Sequence, residues 1–260
     1  MTRLALSLKI GNLLSICSLL GLSVYFAVWD KQVVDEWFSR PNYFMPAEFT
    51  NIVIPIIYFL FILFVLTQFR PEFDELIVNG IEIWFTLANI FTIGWLVFLK
   101  FRWFYALEAA MLGILISVTK LYQNLSYYRF QDWLSYFTVY LPFTMFTAWT
   151  VTDTIATTFV VFFDLNQGDY EYSKYLSMGC IILLTLLGLY QSERKGHVAY
   201  GLVIGWSLFG IAIEQSWEYH LSIVGLICCG IVLGSVGRGC LHEIISRLRI
   251  GTSEERRRLL

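Results

Sequence analysis

Charge is what this chain lacks most. Only 15% of its 260 residues are Asp, Glu, Lys or Arg, against about 25% in an ordinary soluble domain. A soluble fold of this length needs a charged shell, and this chain cannot build one. The net charge of −2 leaves no bulk basic field, which excludes nucleic acid as a partner. The five cysteines (Cys17, Cys180, Cys228, Cys229, Cys240) lie in or beside apolar segments, with no C-x-x-C spacing. They read as packing thiols rather than a disulfide framework or a zinc site. Signatures of common enzymes are missing too. There is no H-E-x-x-H, G-x-S-x-G or G-x-x-x-x-G-K-[ST], and His242-Glu243 lacks a second His four residues on. His197, His220 and His242 fall at expected helix ends, and no Lys falls mid-span, as retinal attachment would need. No catalytic residue, metal ligand or cofactor is therefore assigned.

What is present is hydrophobicity in blocks: 57% of residues are apolar and 18% aromatic. The blocks run to roughly 17–25 residues, the length that spans about 30 Å of hydrocarbon. The pattern predicts an all-α transmembrane bundle of eight helices. They cover 4–29, 50–69, 76–99, 103–122, 134–163, 175–191, 197–213 and 221–236. The first ends in Phe26-Ala-Val-Trp29 rather than a small-residue cleavage site, so it reads as an uncleaved helix. The fifth is too long for a straight crossing and holds Pro142, so one crossing with an interfacial lead-in is expected. Residues 1–236 form one membrane domain. Residues 237–260 form a basic cytosolic tail, with Leu241, Ile244, Ile245 and Leu248 as the apolar side of a surface helix. Thirteen Lys and Arg fall on the side of the termini and five on the other (Lys31, Arg40, Lys100, Arg102, Lys174). The positive-inside rule then places both ends in the cytosol.

Polar residues inside spans are informative, because an ionisable group at depth is costly unless it faces protein or water. Glu82 and Asn89 are seven apart and are expected on one face of the third helix. Glu108 lies in the fourth. Asp153 lies in the fifth among Thr150, Thr152, Thr154, Thr157 and Thr158, and is expected to line a cavity or a helix contact. The threonines can also bond within their own helix. Gly201/Gly205 and Gly230/Gly234 form G-x-x-x-G pairs that suit close packing in the bundle, with a homodimer as the alternative. The C-terminal Glu255-Arg-Arg-Arg-Leu-Leu260 fits an acidic dileucine signal for a sorting adaptor. The sequon at Asn124-Leu-Ser126 falls on the cytosolic side and should go unused.

Several segments together resemble the tryptophan-rich sensory protein/translocator protein (TspO/MBR) family in its longer forms. Pro46 precedes Ile54-Pro-Ile-Ile-Tyr58. Asn89 and Trp95 match an N-x-x-x-x-x-W pattern. Pro142-Phe143, Trp149 and Ala156 match a third motif, and Trp206 with Gly210 a fourth. Two positions depart: Ile54 stands where the family pattern has Trp, and Asp153 where it has Ala. The resemblance implies a helical bundle that binds tetrapyrroles or sterol-like ligands. It implies a cavity lined by Tyr58, Asn89, Trp95, Trp149 and Trp206, with Asp153 added from its position. The expected function is binding or transport of a small hydrophobic ligand in that aromatic cavity. The alternative is a proton- or ion-coupled transporter using Asp153, Glu82 and Glu108, and an intramembrane enzyme would need those acids paired. The expected location is an endomembrane or vacuolar/lysosomal membrane in a eukaryote, otherwise the plasma membrane.

Overall fold

The computed structural model describes residues 3–30, 32–128, 130, 132–166, 168, 171–194 and 196–258, with side chains for all of these except 32–34, 171, 194 and 242–258. The dileucine pair Leu259-Leu260 lies outside the described residues. The chain is a bundle of α1 (Arg3–Val28), α2 (Gln32–Phe38), α3 (Val53–Thr67), α4 (Asp74–Leu76), α5 (Trp84–Lys100), α6 (Phe104–Leu125), α7 (Trp133–Ser135), α8 (Leu141–Phe162), α9 (Glu171–Leu189), α10 (Val198–Glu214) and α11 (Tyr219–Arg258). Among the described residues, seven helices are long and apolar enough to cross a membrane, and a bent pair supplies the eighth. Large apolar side chains such as Leu66, Tyr105, Leu183 and Ile227 point outward. In hydrocarbon that costs nothing, which is why the chain needs so little charge.

The expected third helix is not continuous. A five-residue π turn, Ile77–Ile81, precedes Glu82, whose φ is +52°. The two halves, Pro71–Ile81 and Trp84–Lys100, meet at 65°. Glu82 therefore does not share a helix face with Asn89. Gly80 sits beside this break, with Tyr128 and Leu125 packed close to its Cα. The fifth block crosses as one span, Trp133–Phe162. A π turn at Tyr136–Tyr140 leads into α8, with Pro142 in the first turn of α8. The tail does not separate from the last span. The 40-residue α11 runs unbroken from Tyr219 to Arg258. At 1.5 Å per residue this is roughly 60 Å, about twice the hydrocarbon thickness.

The two G-x-x-x-G pairs behave differently. Gly201 packs against Ser192 and Val236, and Gly205 against Leu233, so this pair brings α10 and α11 together. Gly230 and Gly234 have nothing within 4 Å of where a side chain would start.

A polar ladder joins α1 to α3 and α5. Asn12 Nδ2 donates to Gln68 Oε1 at 3.1 Å, and Gln68 Nε2 donates to the Lys9 carbonyl at 3.1 Å. Thr86 Oγ1 donates to Asn12 Oδ1 at 3.0 Å. The fully buried Lys9 amine is paired with Asp74. Such side chains are tolerated at depth because each has partners.

The end of the bundle opposite the N-terminus is stapled by charge. Lys100 pairs with Asp30, and Arg102 with Glu36 at 2.6 Å. Arg40 pairs with Asp164 at 3.5 Å and stacks on Phe104, and Lys174 pairs with Glu218 at 2.6 Å. Four of the five cations counted on this face are thus neutralised by acids from its own loops. The loop between α1 and α3 is also anchored by backbone. Ala47 N donates to the Gly210 carbonyl at 3.1 Å, and Leu165 N to the Pro41 carbonyl at 2.9 Å. Gln215 Nε2 donates to the Asn42 carbonyl at 3.0 Å.

Candidate ligand cavity

α8 carries the centre of the site. Its threonines satisfy their hydroxyls on carbonyls four residues back: Thr147 on Phe143 and Thr154 on Thr150, both at 2.7 Å, and Thr157 on Asp153 at 2.8 Å. That leaves Phe146, Trp149, Thr150 and Asp153, on neighbouring turns, to face a space between helices. The space holds about 400 Å³, within the range typical of small-molecule sites. α1 contributes Ser23, Phe26 and Ala27, and α3 contributes Ile54, Pro55, Ile57 and Tyr58. The last turns of α5 add Thr92, Trp95, Leu96 and Leu99, and α6 adds Met111 and Ile114. All these segments belong to the half of the bundle nearest the stapled loops.

Below the cavity, Phe61, Phe64, Phe85 and Phe143 form a buried aromatic cluster with centroids 4.9–5.4 Å apart. Edge-to-face packing of this kind stiffens a wall beyond what area burial alone provides. Over the cavity lies α2, whose Trp37 rests on Trp95 at 5.1 Å between centroids. The 3-10 turn Glu48–Ile52 completes the rim with Glu48 and Asn51.

Four of the six expected site residues meet here: Tyr58, Trp95, Trp149 and Asp153. Both departures from the family pattern, Ile54 and Asp153, are on the wall. Asn89 and Trp206 are elsewhere. Asn89 is fully buried between α5 and α1, where its Nδ2 donates to Ser15 Oγ at 3.0 Å. Trp206 donates from Nε1 to the Thr50 carbonyl at 3.1 Å. One turn on, Gly210 lies directly against Thr50 and Ala47. Trp206 and Gly210 thus cradle the 3-10 turn that bears Glu48 and Asn51; they position the rim rather than touching the cavity. The outer side of Trp206 faces a shallow apolar groove shared with Val53, Met145, Leu202, Cys229 and Leu233.

The three acids of the expected ion path do not meet. Glu108 Oε1 accepts from Thr158 Oγ1 at 2.9 Å at the α6–α8 contact, with Oε2 buried and without a partner among the described residues. Glu82 Oε1 accepts from Asn124 Nδ2 at 3.1 Å. Glu108 and Asn124 lie on the same helix, so the two glutamates are about 24 Å apart along α6. Asp153 differs from both. Among the described residues its carboxylate has neither a hydrogen bond nor an ion pair, and it faces the cavity.

Sequence reasoning missed Trp37, Phe38 and Glu48, which lie between the first two expected helices, and Asn51, at the start of the second. A signal was present: Glu48-Phe-Thr-Asn51 places two polar side chains three apart just before an apolar block. The indole Nε1 of Trp95 is buried and has no hydrogen-bond partner among the described residues.

The fold and the cavity define a class: a multi-pass helical membrane protein with an aromatic chamber between its helices. The chain matches the family described as TSPO-like protein over residues 9–238, and belongs to it. No curated protein and no solved structure matches the chain.

Proposed function

We propose that this TSPO-like protein binds a small hydrophobic ligand in the aromatic cavity, as the binding step of sensing or transport. The observation that carries the reading is convergence. Tyr58, Trp95 and Trp149 come from three different helices and share one wall with a few polar groups. Flat apolar ligands, such as tetrapyrroles or sterols, gain from such walls, and sparse polar groups orient them. The bilayer is both the protein's solvent and the reservoir from which such a ligand partitions. Both chain ends are assigned to the cytosol, which puts the cavity rim on the opposite side of the membrane.

The test is a titration of intrinsic Trp fluorescence in the purified protein with a porphyrin and with a sterol. Saturable quenching or shift in the wild type, reduced at least several-fold in Trp149→Ala, supports the cavity. Equal responses in the two proteins would remove it. The alternative, an ion-coupled transporter using Asp153, Glu82 and Glu108, has only Asp153 on the cavity wall. It expects activity in proteoliposomes that depends on a pH gradient and is lost in Asp153→Asn.

A further inference from the structure

We propose that the ligand of this cavity carries a compact positive charge, such as a protonated or quaternary amine, on an apolar, ring-bearing body. The proposal rests on reading the cavity as the ligand site, and adds the charge of what enters it. Among the described residues the wall contains two carboxylates, Asp153 and Glu48, and no Lys, Arg or His. Lys100, Arg40 and Arg102, close to the wall in sequence, are held by Asp30, Asp164 and Glu36. No basic group on the wall is left to receive an anion.

The two acids sit at different depths. Glu48 is exposed on the rim, in the 3-10 turn that enters α3. Asp153 lies on the inner wall in α8, with its carboxylate unpaired among the described residues. A lone carboxylate at that depth is costly unless a counter-charge or water accompanies it. An entering cation would supply the counter-charge, and Glu48 would raise its local concentration at the rim.

The aromatic residues add a second, independent reason. Trp149 is one helical turn before Asp153, and Trp95 and Tyr58 share the wall. Ring faces attract ammonium groups most strongly when these are desolvated, and cages of Trp and Tyr are a common solution for quaternary amines. An acid beside such rings favours a cation more than either feature alone. The same arrangement opposes a ligand with ionised carboxylates, because like charges would meet in a water-poor space. Tetrapyrroles bearing free propionates are therefore disfavoured within the broader hydrophobic class.

The probe is trimethyl(2-naphthylmethyl)ammonium, compared with its neutral carbon isostere 2-neopentylnaphthalene and with 2-naphthylacetate. Each is titrated against the full chain in nanodiscs. The expected result is that the ammonium binds at least about tenfold more tightly than the isostere, and that the acetate binds most weakly. Asp153→Asn should collapse the ratio of ammonium to isostere. Asp153→Glu, which keeps the charge, should retain most of it. Glu48→Gln should lower the ammonium association rate, and more at low salt than at high salt. Equal affinities for ammonium and isostere in the wild type would overturn the proposal while leaving a hydrophobic cavity in place. So would a ratio that survives Asp153→Asn. If no naphthalene binds, and porphyrin and sterol responses are also unaffected by Trp149→Ala, the cavity reading falls and the charge with it.

Discussion

Gly210 offers the sharpest test of how the cavity rim is held. A Cβ built on Gly210 falls inside the envelope of Thr50 Cγ2, with Thr50 Cβ at 3.3 Å and the Ala47 nitrogen at 3.6 Å. Thr50 cannot turn away cheaply. It is fully buried, and its hydroxyl donates to the Ala47 carbonyl at 2.6 Å. Overpacking of this kind costs about 1–3 kcal/mol, while Ala in a helix interior gains roughly 0.5–1 kcal/mol over Gly. Gly210→Ala should therefore destabilise by about 1–2 kcal/mol net. Thr50→Ser removes Cγ2 and keeps the hydroxyl, at a cost of about 1 kcal/mol for the lost methyl. In that background the nearest remaining side-chain contact is Cβ at 3.3 Å, so Gly210→Ala should become neutral or slightly stabilising. The coupling expected from the double-mutant cycle is about 1–2 kcal/mol. Thermal or denaturant unfolding of the four proteins in one detergent measures it. The same effect of Gly210→Ala in both backgrounds would refute the claim that Thr50 is what Gly210 makes room for.

Two further outcomes follow from the packing. Asn12→Leu leaves Gln68 Oε1 and the Thr86 hydroxyl without the partner each now has; the expected loss is about 1–3 kcal/mol, with α1 released first in limited proteolysis, and an unchanged unfolding midpoint would contradict the ladder's role. For topology, expression with glycosylating microsomes should leave Asn124 unmodified, whereas Gly168→Thr, which completes an acceptor sequon at Asn166 on the opposite face, should add one glycan; modification at Asn124 would invert the assignment.

Much of the architecture was legible because it depends on quantities that run along the chain. Block length against hydrocarbon thickness predicts eight spans, and the structure has seven plus one bent pair. The bend was hidden. Ile77 to Leu99 is apolar enough to read as one span despite Glu82 and the Asn79-Gly80 pair, and nothing in its periodicity marks a π turn. Asn89 and Trp206 were assigned to the cavity from motif spacing, which reports residue identity but not which neighbour a helix face meets. Asn89 turns to α1 and Trp206 to the α1–α3 loop, so each supports the site from outside it. Conversely, Trp37 and Glu48 lay in a segment whose polarity and two prolines read as a connection.

Composition and hydrophobic length alone therefore determined that this chain lives in a bilayer as an all-α bundle, because those are one-dimensional costs of solvation. The family resemblance marked Trp149, Trp95 and Tyr58, and its place inside a span marked Asp153, as residues worth finding together. Only the tertiary structure decided that these four share a chamber, that Glu82 and Glu108 do not, and that Asp153 faces it unpaired. A carboxylate's chemistry depends on what stands within a few ångströms. In this fold that is set by how α3, α5 and α8 cross, and by a loop that Trp206 and Gly210 hold in place.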